Sequence, residues 1–354
     1  MMKWIAGATL FACSVFGAPG TDMVARKLEL ASAGPLAFGP PGILFVGDSA
    51  GASLVAIDTG DRAVNKGAGA IELKGINQKM AAALGTAPEQ ITIHDLAVNP
   101  VSHNVYFSVA RGTTPVLLKL DAGGRITELA LENIVHSRVS IPDAPADAKD
   151  ARGNNKRMET ITDLGYADGR VFIAGLSNEE FSSSLRSIPY PFQAANKGSS
   201  IEIFHGAHGR FETNAPVRTF TTYTVANKPH LLAAYTCTPL VTIPLSELTP
   251  GNKVKGKTIA ELGNRNRPLD MIVYQKGGKD YILMANSSRG VMKLPAANLE
   301  TYDAITAQTE KKGVPYETLS DMKGVQQLDR YDGKNALMLM VDGGSMDLRT
   351  VALP

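Results

Sequence analysis

The residues best equipped for chemistry are a phenol and a thiol two positions apart. They lie in "LLAAYTCTPLVTIPLSEL", residues 231–248, as Tyr235-Thr236-Cys237. On an extended strand residues two apart point to the same side, so Tyr235 and Cys237 are expected to share one environment. A turn beginning at Thr236 would separate them. Imidazole, thiolate and phenol together suit copper better than zinc or iron. His94 and His136 are the imidazoles expected to join Cys237 as metal ligands, with Tyr235 and Cys237 as the reactive pair.

A second donor set is hard and oxygen-rich. Asp48, Asn286 and Asp342, joined by Glu179 or Glu180, would suit calcium, making calcium the second choice of ion after copper. His205 and His208 form an H-x-x-H pair in "HGAHGR". No carboxylate or third ligand is read as accompanying them, and sibling turns carry Asp121 or Asp58 instead. They are therefore read as part of a solvated hairpin. No G-x-S-x-G elbow and no H-E-x-x-H pair is present, which leaves a hydrolase triad or a zincin without support.

Distant donors need a fold that gathers them, and the sequence supplies one through repetition. Residues 219–248 overlie 270–299 without a gap, pairing Tyr223 with Tyr274, Lys228 with Lys279, Leu232 with Leu283, Ala234 with Ala285, Pro244 with Pro295 and Leu248 with Leu299. In that alignment Asn286-Ser287-Ser288 stands where Tyr235-Thr236-Cys237 stands. Each unit reads as strand, Gly/Asn/Asp turn, strand, turn, strand. The same grammar recurs at 34–64, 93–129, 161–180 with 198–212, and 324–353. Six units are counted, and seven if 132–159 conceals degenerate strands.

Repeated antiparallel units of this size resemble an all-β fold, the β-propeller, in which each unit is a four-stranded blade. The likeness is to quinoprotein-like and gluconolactonase-like propellers broadly, and its motifs are generic. The last unit ends after its third strand. The strand-like segment "MVARKLELAS" (23–32) is expected to complete it and close the ring, removing two sheet edges. A tyrosine beside a cysteine on copper also resembles, in residue types alone, the radical site of the galactose oxidase propellers. The lactonase propellers, by the same kind of resemblance, imply a central divalent ion on carboxylates and an amide.

In such a ring the turns between second and third strands share one face with the starts of the innermost strands. Asp48, Arg111, Gly175, Tyr235, Asn286 and Asp342 fall in those turns. His94 precedes an innermost-strand column of Asp95, Asp163 and Asp270, whose recurrence implies a structural duty such as binding backbone amides of the next blade. Long segments at 76–90, 132–159 and 176–198 are expected as loops over that face. The first is expected to include a short helix. His136 lies in the second of these segments; Arg186 and Tyr190 lie in the third, in the aromatic stretch "RSIPYPF". With Asp48, Arg111, Glu179, Glu180, Asn286, Arg289 and Asp342, they make up the expected ligand-binding set, for a small molecule or for a protein, peptide or glycan.

The chain has 354 residues, 44% hydrophobic and 20% charged, with a formal net charge of +2. That is a globular composition with ample core, and no basic run is interleaved with aromatics to suggest nucleic acid. Lys3 precedes an apolar stretch from Trp4 to Phe16 and then small residues, the shape of a secretory leader at 1–18 ahead of a single domain at 19–354. The stretch is too short to span a bilayer, and Leu10-Phe11-Ala12-Cys13 matches a lipoprotein signal less closely. A periplasmic or secreted protein is expected. Losing Cys13 with the leader leaves Cys237 unpaired, either as a buried hydrophobe or as a functional thiol.

Overall fold

The computed structural model describes residues 22–65, 69–237 and 239–354, so the expected leader with its Cys13 lies outside the described residues. Alternating apolar residues bounded by turn residues form six sheets, antiparallel throughout except where Lys253–Lys255 joins Ser199–His205 in parallel. Leu36–Phe38, Ile43–Asp48 and Ser53–Asp58 begin blade 1. Ile91–Val98, Val105–Arg111, Thr114–Leu120 and Ile126–Glu128 make blade 2. Asp163–Ala167, Arg170–Leu176, Ser183–Pro189 and Ser199–His205 make blade 3. Thr219–Val225, Lys228–Ala234, Pro239–Pro244 and Lys257–Leu262 make blade 4, and Pro268–Lys276, Lys279–Asn286, Gly290–Pro295 and Glu317–Leu319 make blade 5. Val325–Arg330, Asn335–Asp342 and Ser345–Ala352 begin blade 6. The chain is a six-bladed β-propeller.

The blades do not stand in chain order. Innermost strands touch in the sequence 1–3–4–5–6–2 and back to 1. The packing agrees: six apolar clusters lie between the sheets, one at each of these interfaces. Blade 2 packs on blade 6 through Leu96, Leu118, Leu339 and Leu348, and on blade 1 through Ala97, Tyr106, Leu44 and Val55. Blade 3 packs on blade 1 through Ile173, Val171, Phe45 and Leu54.

Two exchanged outer strands produce this order. The fourth strand of blade 1 is Ile134–Ser140, delivered after blade 2 is complete, and the fourth strand of blade 6 is Glu72–Leu73, delivered before blade 2 begins. The N-terminal strand Val24–Arg26 does not complete the last blade as expected; it pairs with Ile134–Ser140 as an outermost fifth strand of blade 1. Its three residues are exposed, whereas Leu73 pairs opposite Leu348 and packs on the interface between blades 6 and 2. Burial decides which segment closes the ring.

On leaving Ser53–Asp58 the chain passes beneath blade 2, and one carboxylate clips it there. Asp61 Oδ2 accepts hydrogen bonds from Ser102 Oγ at 2.9 Å, Asn104 Nδ2 at 2.8 Å and Tyr106 Oη at 2.9 Å, with Lys119 Nζ at 3.3 Å. Ile76–Ala83 then forms a helix whose Ile76 and Met80 are fully buried between blades 6 and 2.

The expected column of aspartates ties neighbouring blades together. Asp95 accepts the N–H of Leu36 at 2.7 Å, Asp163 that of Phe220 at 2.7 Å, and Asp270 that of Leu328 at 2.9 Å. Asp329, outside the expected column, accepts that of Val98 at 2.7 Å. Each also accepts the amide of its own successor. These bonds join blades 2 to 1, 3 to 4, 5 to 6 and 6 to 2, an independent statement of the ring order.

Two expected loops are strands. Segment 132–159 holds Ile134–Ser140, and 176–198 holds Ser183–Pro189, the third strand of blade 3. The second was hidden by its polar run Ser182-Ser183-Ser184 and by Arg186, which is buried only because it pairs with buried Asp143.

Candidate metal centre

Counting Ser183–Pro189 as a strand makes Ser199–His205 the fourth strand of blade 3. Strands alternate in direction, so its far end lies on the face of the second-to-third turns. The "HGAHGR" turn therefore sits on the upper face, where it meets the turn of blade 4 that carries Cys237. One ring nitrogen each of His205 and His208 and the sulfur of Cys237 lie within 4.8 Å of one another. Among the described residues this is the one group of three such side chains able to hold an ion.

A carboxylate orients both imidazoles. Nδ1 of His205 is 2.8 Å from Glu212 Oε2, and Nδ1 of His208 is 2.7 Å from Glu212 Oε1. Glu212 is on the short fifth strand Arg210–Glu212, whose hairpin pairs His205 with Arg210. With both Nδ1 atoms engaged, Nε2 is the nitrogen each ring has left to offer. A carboxylate behind a ligating histidine fixes its tautomer and raises its basicity. The two rings lie against each other at a tilt of 41°, with centroids 4.0 Å apart.

His205 is only 3% exposed, and its Nε2 is buried with no hydrogen-bond partner. Burial lowers its pKa, more than the neighbouring Glu212 raises it. The ring is thus neutral at physiological pH, as a ligand must be. Burial alone would raise the Glu212 carboxyl, but its hydrogen bonds from His205 and His208 outweigh that and hold it low. His208 is exposed and Cys237 half-buried, so the centre opens to solvent on one side.

Beneath the turn, Glu261 Oε1 accepts the Gly206 N–H at 2.6 Å. Burial pushes Glu261 up to about 7. A Cβ on Gly206 would meet Glu261 Cγ at 2.8 Å, so any larger residue here would push Glu261 aside. On the other side Cys237 is held at a φ of +64°, its N–H donating to Asn266 O at 2.7 Å. The sibling turn of blade 5 is closed by Asn286, which accepts the amides of Ser288 and Arg289. Tyr235 offers no such acceptor, and the Asn266 carbonyl does that work for blade 4.

The structure separates the other expected site residues. Tyr235 and Cys237 do not share an environment, because the chain turns at Thr236–Cys237. Tyr235 is 1% exposed in the core between blades 3 and 4, and burial raises its phenol. His94 lines the central channel on blade 2, three blades from Cys237 in either direction round the ring. His136 is on the outer strand of blade 1, 3.4 Å from Arg26 Nε, at the periphery.

The oxygen-rich set for calcium is dispersed as well. Asp48 is consumed by the amides of Ala31, Ser32 and Gly51, Asn286 by its turn, and Glu179 by Lys197 at 2.6 Å. Glu180 and Asp342 are exposed in turns of different blades, and Gly175 approaches the backbone of Thr160. Arg111 reaches Leu84 O at 3.4 Å. Arg289 reaches Asn264 O at 3.3 Å, while Arg186 is locked with Asp143. Tyr190 packs on Phe45 and Phe192 at the lower end. Sequence reasoning missed His205, His208 and Glu212 as partners of Cys237. The H-x-x-H-x-x-x-E spacing over 205–212 was the available signal.

Inward of the centre lies a central channel of about 650 Å³, lined by Asp95, Asp163, Asp270 and Asp329. Burial raises all four; Asp163 reaches about 7 and Asp329 about 6. At the mouth, Arg218 bonds Glu159 at 2.6 Å and Thr236 Oγ1 at 3.2 Å.

No protein-family model matches the chain, and no curated protein does. Solved structures similar to it include an oxidoreductase of the glucose dehydrogenase kind from Thermus thermophilus, at 12% identity over 93% of this chain and all of that one, with a TM-score of 0.37. The PQQ-bound aldose sugar dehydrogenase of Streptomyces coelicolor gives 10% identity over 94% and 100%, TM-score 0.33. Drosophila Plexin A in complex with Semaphorin 1b gives 8% over 95% and 86%, TM-score 0.39. Fold alone does not fix function, so the chemistry must be read from this chain's own residues.

Proposed function

We propose that this chain is an exported propeller carrying one copper ion on His205, His208 and Cys237, and that it acts as an oxidoreductase on a small molecule at the upper face. The observation that carries the reading is two imidazoles and a thiol within 4.8 Å, with both imidazoles anchored by one carboxylate. Two histidines and a cysteine in a trigonal set suit copper, and the thiolate and imidazoles support both of its common oxidation states. Ion-to-ligand distances of about 2.0 Å for nitrogen and about 2.3 Å for sulfur draw the ligand atoms to roughly 3.5 Å apart. Exposed His208 can make the closing movement of about 1.3 Å or less that this requires. Three protein ligands leave a position for water or substrate.

The test is metal analysis of the mature protein after loading with copper or zinc, with visible absorption and electron paramagnetic resonance. One copper per chain with a thiolate-to-copper charge-transfer band, both lost in Cys237→Ser, is expected. Stoichiometric zinc with copper excluded would end the redox reading and leave the ligand set standing; no bound metal at all would end both. Localisation to the periplasm or medium follows from the leader at 1–18. Fractionation of cells expressing the full chain checks it, with cytoplasmic retention of the uncleaved protein counting against export.

A further inference from the structure

The channel mouth carries charge that the metal centre does not use. Arg218 and Arg267 each immediately precede an innermost strand, those of blades 4 and 5, and both line the channel. They are close enough for Arg218 to lower the Arg267 pKa, second to burial, while Glu159 raises it. Glu159 is bonded to Arg218. One carboxylate thus lies near two guanidiniums and bonds only one of them. Among the described residues Arg267 has no ion pair and no side-chain hydrogen bond; only its backbone groups are engaged, with Ser287. His94, also at the mouth, is held toward its neutral form by burial and adds no charge there.

Below this cationic rim the channel changes character. Asp163 follows Thr162 on blade 3, and Asp270 lies three residues below Arg267 on blade 5, about 10 Å at about 3.3 Å per strand residue. Asp95 and Asp329 complete the wall. Their oxygens accept backbone amides and have lone pairs left for further donors. A ligand that fits both zones has one anionic end and a neutral body rich in hydroxyl donors. An apolar tail would leave the aspartate carboxyl groups without further partners, and a second negative charge would find no cation among them.

We propose that the channel mouth binds a polyhydroxylated monocarboxylate, with its carboxylate on Arg267 and Arg218 and its hydroxyl groups donating to the channel aspartates. Cys237 is the residue after Thr236, which Arg218 touches, and its amide is held by Asn266, which precedes Arg267. The pocket and the metal centre are therefore neighbours, yet they share no ligand residue, and the inference stands whether or not a metal is bound.

The test is calorimetric titration of metal-stripped mature protein with sodium D-gluconate at low ionic strength, with D-glucitol and hexanoate as comparison ligands. Saturable gluconate binding is expected, at least tenfold weaker in Arg267→Gln and unchanged in Arg125→Gln, an exposed arginine in the lower turn of blade 2. Glucitol lacks the charge and hexanoate lacks the donors, so both are expected to bind at least tenfold more weakly. Absence of saturable gluconate binding, equal binding by Arg267→Gln, or hexanoate binding as tight as gluconate would each overturn the proposal. Arg267→Lys, which keeps the charge, guards against misfolding: it restores part of the affinity if the role is electrostatic.

Discussion

Cys237 combines two features that ordinary packing does not explain: a left-handed backbone in a non-glycine residue, and a sulfur facing two imidazoles. Left-handed backbone costs a side-chain-bearing residue about 1 kcal/mol or more. Cys237→Gly is therefore expected to stabilise the metal-free protein by roughly 0.5–1 kcal/mol while abolishing copper binding. Urea unfolding beside metal analysis reads both. A purely structural cysteine would show the stability gain with no copper binding to lose. Glu212→Gln should leave the ligands in place but weaken metal binding about 10–100-fold, because the amide no longer fixes both tautomers. Competition with a chelator of known affinity measures that loss. Cys237 was legible in the sequence as the odd member of a repeated turn, but its partners were not. The polar strand Ser183–Pro189 reads as a loop, and leaving it out of the count sends His205 and His208 to the wrong face.

At the scale of elements, what the sequence showed well was periodicity, and what it hid was exchange. Apolar alternation and turn residues mark the strands of every blade, and recurring Asp95, Asp163 and Asp270 announced the inter-blade clamps. Nothing in Ile134–Ser140 or Glu72–Leu73 states which sheet they join, because pairing between distant segments is set by burial in the assembled ring. Close approach of elements is the exposed weak point. A Cβ on Gly175 would lie 2.0 Å from Thr160 O, a backbone atom on the entry to blade 3. Gly175→Ala should destabilise the protein by roughly 2–4 kcal/mol. Alanine at Gly277, in the open turn of blade 5, meets nothing within 4 Å and carries only the strain of its φ of +59°, so it should cost less than Gly175→Ala. Thermal unfolding of the pair checks the ranking.

For the whole molecule, stability resides in ring closure and in the channel. Removing Asp61 orphans the buried hydroxyls of Ser102 and Tyr106 under blade 2 and frees the crossing segment, so Asp61→Ala should cost about 2–4 kcal/mol. The channel aspartates set a pH dependence of definite sign. Asp163 titrates near 7 when folded, against 3.8 ordinarily. Its contribution is therefore complete below about pH 4 and is lost as pH rises through 7. Relative to Asp163→Asn, which keeps an acceptor but cannot ionise, the native protein should lose roughly 1–3 kcal/mol between pH 5 and pH 8. Paired denaturation curves at the two pH values test this; a constant gap would contradict it.

The order 1–3–4–5–6–2 has a consequence for the growing polypeptide. As the chain emerges from a ribosome or crosses a membrane, blade 1 waits for residue 140 to receive its outer strand. Glu72–Leu73, made early, has no sheet to join until Ser345–Ala352 arrives near the end. Blade 2 meanwhile has one flank bare for more than half of synthesis. Assembly of this kind favours late, all-at-once maturation over blade-by-blade growth, and it leaves truncated products open to self-association.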